Sequence, residues 1–205
     1  GPVRSVAFSA DGKRLFTAHE DGLLRIWDVV SGTLIQEGLG ATKIFGFLFS
    51  PDRSLLVTYE DGGLQLRDSE SLEAKLSIED DNSAMVFPSA FTADNTHIVG
   101  LGFNADYTES TIYIWNAQTG QISHRIEGLA YTYDFQISRD GQYIAASHLV
   151  DSAAMVGLWS LADGTRIADL KPDGNAFDTF TAHSFDQADH LLTARSNLVS
   201  WGGDG

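Results

Sequence analysis

A pattern first complete in Val3 to Asp28, VRSVAFSADGKRLFTAHEDGLLRIWD, returns four more times along the chain in weaker form, and no other feature narrows the fold as far. In this first copy an alternating run ends at Phe8-Ser9 and Asp11-Gly12 makes a turn. A second apolar run covers Leu15 to Ala18, Asp21-Gly22 turns again, and a third run closes on Trp27-Asp28. Period-two alternation punctuated by Asp-Gly reads as three strands joined by tight turns. The first-strand endings return as Phe49-Ser50-Pro51-Asp52, Phe91-Thr92-Ala93-Asp94-Asn95, Ile137-Ser138-Arg139-Asp140-Gly141 and, degraded, Phe185-Asp186-Gln187-Ala188-Asp189. The third-strand endings return as Leu66-Arg67-Asp68, Ile114-Trp115-Asn116, Leu158-Trp159-Ser160 and Val199-Ser200-Trp201. Positions 27, 67, 115, 159 and 201 are separated by 40, 48, 44 and 42 residues, the period of a four-stranded unit.

A fourth run follows each of the first four endings: Thr33 to Gln36, Ala74 to Ile78, Gln121 to Ile126 and Thr165 to Leu170. Turns at Ser31-Gly32, Glu70-Ser71, Thr119-Gly120 and Asp163-Gly164 introduce them. No segment sustains a helical period, so the fold class is all-β.

The F-S-x-D-G turn, the S-G-T or T-G-Q outer turn and the Trp-Asp ending together resemble the WD-repeat (WD40) β-propeller family, over essentially all 205 residues. The resemblance implies four-stranded antiparallel blades around a central channel, with about five blades present and the last incomplete. Their expected bounds are roughly 1–38, 39–79, 80–127, 128–171 and 172–205. The chain opens inside a repeat and stops at Gly202-Gly203-Asp204-Gly205, ahead of an outer strand. A fragment of a ring of about seven blades is the simpler expectation, and a closed five-bladed ring the second. Family repeats carry a Gly-His pair before the first strand that joins a buried network with Ser or Thr, Asp and Trp. Here Thr17, Asp21 and Trp27 match in repeat one and Thr58 and Asp61 in repeat two, but Gly38-Leu39 and Gly128-Leu129 replace Gly-His, and Arg67 stands in place of Trp. The full network is therefore not expected in any repeat, leaving packing to hold the blades.

Composition removes whole classes of chemistry. Cysteine is absent, which excludes disulfides, thiolate-bound zinc and thiol nucleophiles and fits a cytoplasmic protein. A formal net charge of −15, from 28 acidic and 13 basic residues, makes nucleic acid an unlikely partner, since phosphate contacts need clustered Lys and Arg. No apolar run approaches the roughly 20 residues of a membrane-spanning helix.

The Trp series reads as packing between blades, and the repeated Asp11, Asp52, Asp94 and Asp140 as turn residues that cap their own backbone. None of the six histidines has the spacing of a zinc hydrolase, and no phosphate-binding loop, nucleophile elbow or dinucleotide fingerprint occurs in context. No cofactor or metal is expected. His19 and His148 are placed in turns joining second to third strands. Repeats three and four have enlarged second turns, Gly102 to Glu109 and His148 to Ala153. Function concentrates in loops on rigid scaffolds, and aromatic and arginine side chains dominate interfaces. The expected partner-binding rim is therefore Tyr59, Phe103, Tyr107, Tyr131, Tyr133, His148 and Arg195. The resemblance implies a non-catalytic scaffold or sensor module of a larger protein, whose partners are other proteins or domains of the same parent chain. Two alternatives stand beside it: a small ligand in the channel, and a five-bladed glycoside hydrolase. The latter needs paired carboxylates at inner-strand starts, where only Asp134 and Asp178 are available.

Overall fold

Among the described residues, the runs of alternating apolar residues form strands, and the chain turns where Asp, Gly and Asn punctuate it. The computed structural model describes residues 1–39, 43–61, 63–78, 85–130, 132, 134–150, 153–170, 180–185 and 191–195, and contains no helix among them. The first sheet is an antiparallel meander of β1 (Val3–Phe8), β2 (Arg14–His19), β3 (Leu23–Asp28) and β4 (Leu34–Leu39). The second repeats it with β5 (Ile44–Phe49), β6 (Leu55–Glu60), β7 (Gly63–Asp68) and β8 (Ala74–Ile78). The third comprises β9 (Met85–Phe91), β10 (His97–Phe103), β11 (Glu109–Asn116) and β12 (Ile122–Ala130). A fourth holds β13 (Phe135–Ile137), β14 (Tyr143–Val150), β15 (Ala153–Ser160) and β16 (Arg166–Leu170). β12 pairs with β14 through Ala130 and Leu149, so the third and fourth sheets run into one another. β17 (Phe180–Phe185) pairs with β18 (Leu191–Arg195); Trp201 lies outside the described residues.

Both enlarged second turns begin as strand. Gly102 and Phe103 finish β10 in register with Thr111 and Ser110, which leaves Asn104 to Thr108 as the turn. His148 to Val150 likewise pair with Met155 to Ala153 inside the β14–β15 hairpin. Extra residues that continue a register satisfy their backbone groups in the ladder, so the insertions lengthen strands before they lengthen loops.

One device builds each turn between first and second strands. Ser9, Ser50, Thr92 and Ser138 each donate a hydroxyl to the Asp two residues on, at 2.6 Å in all four cases. The same carboxylates accept the backbone N–H of Lys13, Ser54, Thr96 and Gln142. Donors aimed at a carboxylate favour its charged form, so Asp11, Asp52, Asp94 and Asp140 are all held below the ordinary range, Asp94 at about 2.

The sheets stack face to face in chain order because each has two apolar faces. Phe16, Ala18, Leu24 and Ile26 of the first meet Ile44, Leu56 and Leu72 of the second. Val57, Leu64 and Leu66 on the other face of the second meet Ile98, Tyr113 and Trp115 of the third. Val99, Leu101, Ile112 and Ile114 of the third meet Ile144, Ala146 and Trp159 of the fourth. Burial contributes on the order of 2 kcal/mol for each fully enclosed aliphatic side chain. First strands β1 and β5, and β5 and β9, touch along one edge of the stack.

Within each sheet a polar or aromatic lock joins the second strand to the end of the third. In the first, the Trp27 indole N–H donates to Thr17 Oγ1 at 2.8 Å, and Thr17 Oγ1 lies 2.8 Å from His19 Nε2. The Thr17 hydroxyl, accepting from Trp27, donates to His19 Nε2; His19 Nδ1–H then points to the Gly1 carbonyl, 3.4 Å away. This histidine comes from the end of β2, not from ahead of the first strand, and it is buried. The expectation that packing alone holds every blade is thereby corrected. In the second sheet Arg67 takes the Trp position and Glu60 the His position. Arg67 Nη2 donates to Glu60 Oε1 at 2.6 Å, its Nε donates to Thr58 Oγ1 at 3.1 Å, and the Thr58 hydroxyl also donates to Glu60. All three side chains are buried. The third sheet has Gly100 and Gly102 there. The vacated space takes the stacked rings of Tyr113 and Trp115, 5.3 Å apart at 13°, and a Cβ on Gly102 would lie 2.5 Å from Tyr113 Cε2.

A group whose folded pKa lies below its unfolded value stabilises the fold above the unfolded pKa and loses that contribution as pH falls through the folded one. Unfolding free energy should therefore decline between about pH 4 and pH 2 as the turn carboxylates are protonated. Denaturant titrations across that window should show a shallower decline for Asp94→Asn than for the native chain; equal slopes would separate the turns from acid sensitivity.

Candidate functional site

Alternation puts the locks on one face of the second strands and leaves the residues between them to the other. Tyr59, between Thr58 and Glu60, is one of these, and Phe103 follows Gly102 in the same way. The two belong to a continuous line of five rings. Phe45 and Tyr59 have centroids 5.0 Å apart, Tyr59 and Phe87 5.0 Å, Phe87 and Phe103 6.2 Å, and Phe103 and Tyr107 5.9 Å. These are the spacings of attractive edge-to-face and tilted pairs. Phe45 is 42% exposed, Phe87 36% and Tyr107 48%, while Tyr59 and Phe103 are half-buried.

Strand ends bring the rings to one rim. Tyr59 is the last but one residue of β6 and Phe103 the last of β10, and Phe45 and Phe87 lie near the starts of β5 and β9. Phe45 is aimed by a bulge: Ile44 pairs with Glu60 and Gly46 with Tyr59, so Phe45 is the unpaired extra residue. Ile44 goes into the core while Phe45 turns outward. In β1 the corresponding extra residue is Arg4, whose Nη2 donates to Glu20 at 2.8 Å. Exposed Asp61, Asp106 and Glu109 occupy the same rim. The hydroxyl and N–H of Thr108 hold the Asp106 carboxylate below its ordinary range.

Tyr59, Phe103 and Tyr107 of the expected rim are thus brought together. Tyr131 and Tyr133 lie outside the described residues. Arg195 ends β18, paired in register with Phe180, and its side chain is likewise outside the description. His148 corrects the expectation: it lies within β14, is buried, and occupies the lock position that His19 holds in the first sheet. Its ring is 5.5 Å from that of Trp159, its Nε2 lies 3.4 Å from Arg166 Nη2 and 3.5 Å from Asp169 Oδ1. Burial, reinforced by the Arg166 charge and partly opposed by Asp169, lowers its pKa. His19 is corrected in the same sense, as the buried last residue of β2. Asp134 accepts the N–H of Phe135 at 2.9 Å, and Asp178 is outside the described residues. Among the described residues no group of three or more His, Asp or Glu is placed to hold a metal ion.

Phe45 and Phe87 are the members that turn-centred reading passes over. Phe45 lies at the start of an apolar first strand, Ile44 to Phe49, but the bulge that turns it outward leaves no mark in the sequence.

Residues 1–28 match the family model described as WD domain, G-beta repeat. Small ribosomal subunit protein RACK1z of Arabidopsis thaliana is 27% identical over 128 residues, 56% of this chain and 39% of that protein. The U3 small nucleolar RNA-associated protein 18 homolog of Homo sapiens is 25% identical over 206 residues, 97% of this chain and 36% of that protein. Protein tipD of Dictyostelium discoideum is 27% identical over 150 residues, 72% of this chain and 23% of that protein. The chain thus spans well under half the length of these relatives. Among solved structures, Kuenenia stuttgartiensis Hydrazine Synthase superposes with a TM-score of 0.67 at 17% identity, over 93% of this chain and 61% of that one, a likeness of fold. Residues 1–28 are thus similar to a WD repeat, and the four-stranded antiparallel sheets have the build of propeller blades.

Since the folded state holds His148 neutral, its contribution is complete above an ordinary histidine pKa of about 6.5 and is lost as pH falls below that value. Thermal midpoints measured from about pH 8 to pH 5 should fall less steeply for His148→Gln than for the native chain. Parallel curves would contradict the buried, neutral assignment.

Proposed function

We propose that this chain is a non-catalytic protein-interaction platform, a scaffold or sensor module of a larger protein, whose contact surface is the aromatic rim of the second and third blades. The observation that carries this reading is the line of five rings crossing from one blade to the next, three of them more than a third exposed. Rings held at fixed spacing by strand ends offer large contact area at little ordering cost, the property of residues that dominate interfaces. Blade bounds near 1–38, 39–79, 80–127, 128–171 and 172–205 go with this reading, as does a continuation of the ring in the parent protein. The names of two relatives fit it: one is a protein of the small ribosomal subunit and another is associated with U3 small nucleolar RNA. Protein partners suit this chain better than a phosphate backbone, given 28 acidic residues against 13 basic. A cytoplasmic location is part of the same proposal. No helix among the described residues is long and apolar enough to cross a membrane.

Tagged native chain, Phe87→Ser and the distal control Val30→Ser should be compared by quantitative affinity purification from the source cells. Losing one central aromatic anchor costs about 2 kcal/mol, roughly thirtyfold in affinity. The partners retained by native chain and Val30→Ser should therefore be depleted with Phe87→Ser. Equal recovery by all three would remove the rim as the contact surface.

A further inference from the structure

The turn that carries Tyr107 repeats the turn between first and second strands, with one costly difference. Gly12 N–H donates to Ser9 O at 3.0 Å, Lys13 N–H to Asp11 Oδ1 at 3.1 Å, and Arg14 N–H to Ser9 Oγ at 3.0 Å. Tyr107 N–H donates to Asn104 O at 3.1 Å, Thr108 N–H to Asp106 Oδ1 at 3.2 Å, and Glu109 N–H to Asn104 Oδ1 at 3.1 Å. Tyr107 therefore stands where the first turn has Gly12, and with φ of 59° it adopts the left-handed conformation that disfavours a bulky side chain.

Other non-glycine residues with positive φ have structural reasons for it. Asn95 is of a type that tolerates the region. Leu72 is buried beneath Gly38, where an added Cβ would come within 2.7 Å of it. Arg53 reaches the preceding sheet, donating to Phe8 O at 3.3 Å and lying 4.9 Å from the Phe49 centroid. Tyr107 instead holds a half-exposed ring at the end of the aromatic line, 5.9 Å from Phe103. Strain kept where glycine would relax it points to a role for that exposed ring.

The chemistry around the ring selects among occupants. Ring faces are electronegative, Asp61, Asp106 and Glu109 share the rim, and the whole chain carries −15. An apolar segment would desolvate those carboxylates without pairing them, and a nucleic acid would bring phosphates against them. A guanidinium stacks flat on a ring and pairs with a carboxylate through its edge. Same-face side chains of an extended segment recur about every 6.7 Å, close to the 5.0–6.2 Å steps of the line, so successive cations reach successive rings. Building on the platform reading, we infer that the line from Phe45 to Tyr107 receives an extended, arginine-rich segment of a partner protein, with Tyr107 as its outer anchor.

Fluorescence anisotropy on the whole chain tests this with labelled peptides of alternating Arg and Ser, or Leu and Ser, and with labelled oligothymidine. The arginine probe should bind, weaken with added salt, and lose affinity by about tenfold or more in Tyr107→Gly. The unfolding midpoint of Tyr107→Gly should be unchanged or higher, because glycine is at ease at that φ, so lost binding cannot be put down to misfolding. Unchanged binding by Tyr107→Gly, equal or tighter binding of the leucine probe or of oligothymidine, or no binding of the arginine probe would overturn the inference. If the arginine probe fails while Phe87-dependent partners are still recovered, the platform stands without this ligand class. If those partners prove independent of Phe87 while the arginine probe still needs Tyr107, the platform reading fails and the binding surface remains.

Discussion

The link between the second strand and the end of the third is the interaction on which the blades depend, and its chemistry changes from sheet to sheet while its place does not. Register makes the positions equivalent: Leu15 faces Trp27, Leu56 faces Arg67, Ile98 faces Trp115 and Ile144 faces Trp159. Where the third strand ends in Trp27, a chain of threonine and histidine receives the indole N–H. Where it ends in Arg67, a neutral acceptor would leave a buried cation uncompensated, and Glu60 supplies the opposite charge. Where the polar members are gone altogether, Gly100 and Gly102 make room for two stacked rings. In the fourth sheet Trp159 lies against Gly157 so closely that a Cβ there would clash with the indole, and His148 packs on the same ring.

The lock and the rim are two faces of the same strands. Fixing Thr58 and Glu60 toward Arg67 obliges Tyr59 to project the other way, and emptying positions 100 and 102 leaves Leu101 and Phe103 on the opposite face. The rings thereby inherit the rigidity of the locks. A bulge at Phe45 and a strained turn at Tyr107 extend the line beyond what strand alternation alone would supply. Rigid presentation of exposed aromatics is what an interaction platform requires, since ordering cost is met in folding and not again in binding.

Much of this was legible in the sequence because its signals are local. Period-two alternation, the Ser/Thr-x-Asp turn and the returning Trp position mark strands, turns and repeat length within a few residues of where they occur. Tyr59, Phe103 and Tyr107 could be picked out because strand ends and turns are visible. What remained hidden depends on pairing. Residues 102 to 109 and 148 to 153 read equally well as long loops or long hairpins, and only the continued register makes Gly102, Phe103 and His148 to Val150 strand, which is why His148 is buried and not on the rim. The partnership of Glu60 with Arg67 went unseen because the expected histidine was sought ahead of the first strand. Phe45 stayed hidden because a bulge, which no composition announces, rotates it away from the core.

The central claim is that Glu60 and Arg67 are one device, equivalent to His19 and Trp27, and a double-mutant cycle tests it most directly. Unfolding free energies would be measured for the native chain, Glu60→His, Arg67→Trp and the two together. Each single change should cost about 3–5 kcal/mol, since each leaves a buried charge without its partner. The double change, which rebuilds the set found in the first blade, should cost less than the two single losses added together, by a coupling energy of roughly 2–3 kcal/mol. Simple additivity of the two single effects would contradict the account.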